Sequence, residues 1–124
     1  FLYRMERPEE HGFFKKYEAE TDYLGDDLYT VYSGSIIYTF LYIYDYDQDK
    51  KILNNLDDWA EFLLFMQDKD LNSRSYGAFN YSYNWQKKEK EPRFVIGTAA
   101  LNIFSLLRLY QILLCQVVIN LELP

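Results

Sequence analysis

At 124 residues the chain fits a single domain with a core of modest size. Its 19 acidic against 13 basic residues give a net charge of -6 and a pI near 4.7, which argues against nucleic acid as a partner, since phosphate tracking needs clustered Lys and Arg. One histidine and one cysteine exclude a His-based metal cluster, a Ser-His-Asp triad and an internal disulfide drawn from this chain alone, and no cofactor or metal is expected.

The opening Phe1-Leu2-Tyr3-Arg4 has neither an initiator Met nor a basic-then-apolar leader, so the chain reads as an excerpt or a processed product, with the cytoplasm favoured over export. Two aromatic runs, Phe1 to Arg4 and Phe13 to Tyr17, flank Arg7-Pro8-Glu9-Glu10-His11-Gly12, and this spacing predicts a hairpin with His11 on its turn. Glu18 to Tyr32 is an acidic, Tyr-bearing loop. A loop of that length in a compact domain marks a functional region, and its carboxylates Asp22, Asp26 and Asp27 are the candidate catalytic groups.

Ser33 or Ser35 is expected to cap a helix running to Tyr46, with Ile36, Ile37, Phe40, Leu41 and Tyr44 as its apolar face. Asp45-Tyr46-Asp47-Gln48-Asp49 begins like a calcium loop. Lys50 then occupies the position of the turn glycine and Leu56 that of the closing Glu, so the stretch reads as a helix-to-helix turn in which Asp47 or Asp49 caps the second helix. Lys51 to Gln67 is amphipathic, with Ile52, Leu56, Trp59, Ala60, Leu63 and Met66 on one face, and pairs with the preceding helix as an antiparallel hairpin.

Phe79, Tyr81, Tyr83 and Trp85 alternate with polar residues, the period-two signature of a strand with one aromatic face. That face is either a cover over the helices or a stacking surface for a sugar ring. Lys87, Lys88, Lys90 and Arg93 are interleaved with Glu89 and Glu91, which reads as a solvated loop, and Pro92 breaks the chain. Gly97 to Tyr110 is expected to be the central core helix, its Asn102, Ser105 and Arg108 forming a narrow wet stripe on an apolar cylinder and Cys115 buried just beyond. Phe94 to Leu121 has the length of a membrane span. Arg108 at its middle would cost roughly 2.5–3.5 kcal/mol there, so a buried helix is the better account and a membrane is not expected.

The chain also echoes itself. Val31 to Ile37 corresponds to Phe94 to Ala100 with Gly34 beneath Gly97, suggesting repeat units of about 1–70 and 71–124 in which each Gly lets backbones approach at a helix start. Gly34-Ser35-Ile36-Ile37-Tyr38 with Trp59-Ala60-Glu61-Phe62-Leu63, and Tyr76-Gly77-Ala78-Phe79 with Gly97-Thr98-Ala99-Ala100-Leu101 and Leu106-Leu107-Arg108-Leu109-Tyr110, resemble consecutive hairpins of the six-hairpin, glycosidase-like α/α-toroid group.

That resemblance implies a mainly α fold of antiparallel helical hairpins with short aromatic strands in the loops, and a fragment of a larger toroid. It also implies carbohydrate processing of the hydrolase, lyase or epimerase kind, with a site in the loops at one end. No catalytic motif of the group is matched. Asp22, Asp26 and Asp27 supply the carboxylates that glycoside chemistry needs, while Arg74, Tyr76, Tyr81, Tyr83 and Trp85 form the expected sugar-binding set. The alternative is a helical-repeat binding or scaffold module without chemistry, and self-association is expected if apolar helix faces are left open.

Overall fold

The computed structural model describes residues 1–122. Within them a short 3-10 turn, Leu2–Met5, is followed by β1 (Asp27–Tyr29), α1 (Thr30–Asp47), α2 (Lys50–Asn54), α3 (Leu56–Met66), β2 (Ser82–Asn84), β3 (Glu89–Glu91) and α4 (Ile96–Glu122). The architecture is therefore mixed, with helices beside a small antiparallel sheet.

The first helical pair forms as its periodicity dictates. In α1 the side chains Ile37, Phe40, Leu41 and Tyr44 are buried, and in α2 and α3 so are Ile52, Leu56, Trp59, Leu63 and Met66. Phe40 stacks on Trp59 with ring centroids 5.0 Å apart. Tyr, Thr and Ile are mediocre helix formers, so α1 owes its stability to this packing more than to propensity. Asp49 caps α2 by accepting from Lys51 N at 2.8 Å, and Asp47 accepts from Asp49 N at 3.1 Å, so the acidic run is a capped turn.

Three boundaries differ from expectation. α1 begins at Thr30, fed directly by β1, which leaves Ser33 and Ser35 inside the helix. Ser33 Oγ instead accepts from Phe13 N at 2.9 Å, and Ser35 Oγ donates back to Val31 O. The Lys51 to Gln67 segment is broken at Asn55, whose side chain donates to Lys51 O at 2.7 Å. In the N-terminal segment only the Glu6 to Phe13 pair is bridged as in a hairpin, while the first aromatic run coils into the 3-10 turn. This segment is pinned to the helices by Glu6, whose Oε1 accepts from the Trp59 indole at 3.1 Å and lies 3.0 Å from His11 Nδ1.

The largest correction concerns α4. It packs on α1 through Thr98, Asn102, Ser105, Leu109 and Ile112, so the expected wet stripe is largely the buried one. Many of its other apolar residues turn outward, with Phe104 61% and Leu107 57% exposed, and Cys115 is exposed as well. Arg108 alone of the polar stripe reaches the edge, where it pairs with Asp45. The cause is Gly34. Asn102 lies against it, Ser105 Oγ donates to the Gly34 carbonyl at 2.7 Å, and a side chain at position 34 would overlap the Asn102 amide. Gly97 has open space beside it, so the internal echo does not carry over to a second close approach.

Contact order fixes the helix directions. Gly34 meets Asn102 and Tyr44 Oη accepts from Gln116 Nε2 at 3.2 Å, so α1 and α4 run parallel. The turn at Gln48 and Asp49 makes α3 antiparallel to α1, and Asn80 links their far ends by bonding Met66 O and receiving the Thr30 hydroxyl. Residues 67–95 and β1 therefore gather toward one end of the helices, where the sheet lies, while the first residues run back along them, Tyr3 stacking on Phe40 under the Lys51 ammonium near the opposite end.

Ala is the better helix former by ~1 kcal/mol, yet Gly34→Ala should lower the unfolding free energy by about 1–2 kcal/mol, because overpacking against buried Asn102 outweighs propensity. In an Asn102→Ala background the same change should become neutral or stabilising. Urea unfolding of the four proteins decides this, and a Gly34→Ala chain as stable as the parent would mean that the helices do not touch there.

Candidate functional site

The sheet has the order β1-β2-β3, all antiparallel. Its register pairs Asp27 with Asn84 and Asn84 with Glu89, then Tyr29 with Ser82 and Ser82 with Glu91, while Leu28, Tyr83 and Lys90 form the intervening row. Directly paired residues share a face. The Leu28, Tyr83 and Lys90 row points inward. Leu28 and Tyr83 are buried, Tyr83 meets Phe65 edge-on at 5.1 Å, and the Lys90 ammonium sits 3.8 Å over the Phe65 ring and donates to the Phe65 carbonyl. Burial lowers the Lys90 pKa, helped by Lys69 and opposed by Asp68.

The outer face is different in character. It carries Asp27, Glu89 and Glu91 with Asn84, Ser82 and Tyr29 between them, around a groove of about 390 Å³ that Lys87 and Lys90 also border. Ser82 Oγ donates to Glu91 Oε2 at 3.0 Å, as a shared face requires. Burial first, then the Asp27 carboxylate, with Tyr81, Glu91 and Tyr32 behind it, raise the pKa of the Tyr29 hydroxyl. Tyr29 is therefore a protonated donor throughout the neutral range. Asp27 and Glu89 stand at opposite ends of one row, two inter-strand spacings or ~9.5 Å apart at Cα.

The three expected catalytic carboxylates separate. Asp27 is on the outer face and also borders an adjoining hollow of about 210 Å³ with Asp26, Lys15 and Tyr23. Asp26 is engaged, accepting from Tyr23 Oη at 2.8 Å and from Gln86 Nε2 at 2.9 Å. The bond from Tyr23 is the main cause of that hydroxyl's raised pKa. Asp22 lies elsewhere. The bridge between Glu18 and Tyr23 closes a small loop that carries it to a depression beside Phe1, Arg4 and Leu24, where it accepts from Tyr17 Oη at 2.8 Å.

The expected sugar-binding set does not form an open platform. Tyr83 is core, which makes the aromatic stretch a cover over the helices at that point. Trp85 has a face under the Arg7 guanidinium at 3.8 Å and donates its indole N–H to Gly25 O, and Tyr81 lies under Arg93 at 3.7 Å with Tyr29 at its edge. Arg74 and Tyr76 are exposed on the turn before Gly77 and line neither hollow at the sheet. Sequence reasoning passes over Glu89 and Glu91, because their alternation with Lys88 and Lys90 suggests a solvated loop. The same alternation, coming after an aromatic strand and a turn, is the signal of a hairpin partner.

Beyond β3 a wider cleft of about 580 Å³ opens, with Phe65, Phe94, Asp68 and Lys90 on its walls. Asp68 there accepts from Ser75 Oγ at 2.6 Å and from Asp70 N at 3.0 Å, and these bonds hold its carboxyl below the usual range. Comparison with known proteins finds no matching family model, no matching curated protein and no matching solved structure.

Tyr83→Ala should cost about 3–5 kcal/mol of stability, as truncation of a buried aromatic does, whereas Tyr76→Ala at a 58% exposed position should stay within about 0.5 kcal/mol of the parent. Thermal or urea unfolding measures both, and a near-neutral Tyr83→Ala would return that residue to the surface.

Proposed function

We propose that the chain is a segment of a carbohydrate-processing protein of the α/α-toroid kind, which holds a hydroxyl-rich sugar over the outer face of its three-stranded sheet. The observation that carries this reading is the row formed by Asp27, Asn84 and Glu89 at the loop end of the helices. Carboxylates accept from sugar hydroxyls, amides both donate and accept, and the Tyr29 hydroxyl adds a donor.

The helical frame supports the same reading. Two parallel helices with an antiparallel return in sequence between them, and with the strands gathered at one end, are what adjacent hairpins of a toroid provide. In such proteins a pair of carboxyls about 6.5–9.5 Å apart serves inversion at the anomeric carbon, and the ~9.5 Å Cα spacing of Asp27 and Glu89 is compatible with that span once their side chains converge. Asp27 and Glu89 are then the candidate acid–base pair. Asp26 has the positioning part, fixing Tyr23 and Gln86 beside the groove. The alternative, a helical-repeat module without chemistry, draws on a separate observation, the open apolar face of α4.

The test is a panel of neutral polysaccharides assayed for binding and for hydrolysis. Asp27→Asn and Glu89→Gln should each weaken binding by about tenfold or more, the loss expected of a charge-assisted hydrogen bond, while Asp22→Asn should leave it unchanged. Equal binding by parent, Asp27→Asn and Glu89→Gln would remove the sheet face from any sugar site.

A further inference from the structure

The outward side of α4 carries an ordered pattern that the α1 contact does not use. Ile103, Leu107, Tyr110, Leu114, Val117 and Leu121 succeed one another at alternating spacings of four and three residues, and each is exposed. This is the seam of a helix that packs against another helix along its length. None of the six is charged, and the nearby Arg108 is turned to Asp45. With the flanking Phe104 and Val118 the stripe leaves on the order of 1,000 Å² of apolar side chain in water, against a few hundred Å² for the largest patch of an ordinary monomer and ~800 Å² per partner in a standard interface.

We infer that a second copy of this chain covers the seam, with the two α4 helices antiparallel about a two-fold axis near Ile112. The pattern reads the same in both directions. Reversal places Ile103 opposite Leu121, Leu107 opposite Val117 and Tyr110 opposite Leu114, so each layer joins residues of different shape and the patch is complementary to itself, as an isologous dimer requires. The inference does not depend on the sugar reading, since the seam lies on α4 and the acidic row on the sheet.

Lipid is the less fitting occupant. α1 lies alongside α4 from Gly34 at Asn102 to Tyr44 at Gln116, and its end brings Asp45 onto Arg108 of the apolar stretch, with Asp47 and the charged turn following directly. A bilayer around α4 would draw those charges inward.

Light scattering on the size-exclusion peak of the full chain, in detergent-free buffer at micromolar concentration, should give twice the 15.0 kDa chain mass. Leu107→Glu with Leu114→Glu should return it to the single-chain mass with an unchanged far-UV circular dichroism spectrum, because both side chains point away from α1. Val117→Glu, further along the seam, supplies an independent variant with the same expected readout should the double variant misfold. A parent chain of single mass overturns the inference, as does a dimer that survives folded seam variants. So does a parent that floats with phosphatidylcholine vesicles as a monomer. None of these outcomes bears on polysaccharide binding, which is read separately.

Discussion

Everything in this fold rests on how Asn102 sits against Gly34. The missing side chain at position 34 admits the amide, and Ser105 fastens the same point by donating to the Gly34 carbonyl. Neither polar atom of the Asn102 side chain has a hydrogen-bond partner among the described residues, and each such atom costs about 1–3 kcal/mol. A polar contact of that kind is a poor source of stability and a good source of register. A slip by one helical turn would press the amide against Val31 or Ile37 instead of the single gap that admits it.

That contact has two consequences. With its small polar stripe committed to α1, α4 has no choice but to present its aliphatic side to the surroundings, which is why an apolar helix lies largely uncovered. The parallel course of α1 and α4 also brings both of their starts to the end where α3 finishes. The strands lie in the connections at that end, β1 leading straight into α1 and β3 preceding α4. Placement of the acidic row is thus inherited from helix direction, while its composition is set by the strands themselves.

Much of the first helical pair is legible in the sequence, since α1 and α3 bury one face each and periodicity records that directly in Ile37, Phe40, Leu41, Trp59 and Leu63. The cap at Asp49 is equally local. What periodicity does not contain is the destination of a face. Asn102 and Ser105 separate cleanly from their apolar neighbours, yet nothing in α4 alone says whether the polar or the apolar side meets the partner, and Gly34 decides it from 68 positions away. The same ambiguity governs Tyr83, whose alternation is plain but whose face turns to the core. Among site residues, Asp26 and Asp27 gather at the sheet because their loop leads into β1, and Asp22 is lost to a separate turn. Glu89 is hidden from such a reading because β3 has no apolar face of its own and is held by its neighbour's backbone.

An isotope-edited NOE spectrum of the full chain addresses the α1–α4 contact most directly. The account predicts cross-peaks from the Gly34 Hα protons to the Asn102 side-chain amide, and from the Tyr44 ring to Gln116. The reverse pairing, Gly34 with Gln116 and Tyr44 with Asn102, would make the helices antiparallel and contradict it, as would a Gly34 that shows no cross-peak to any residue of α4.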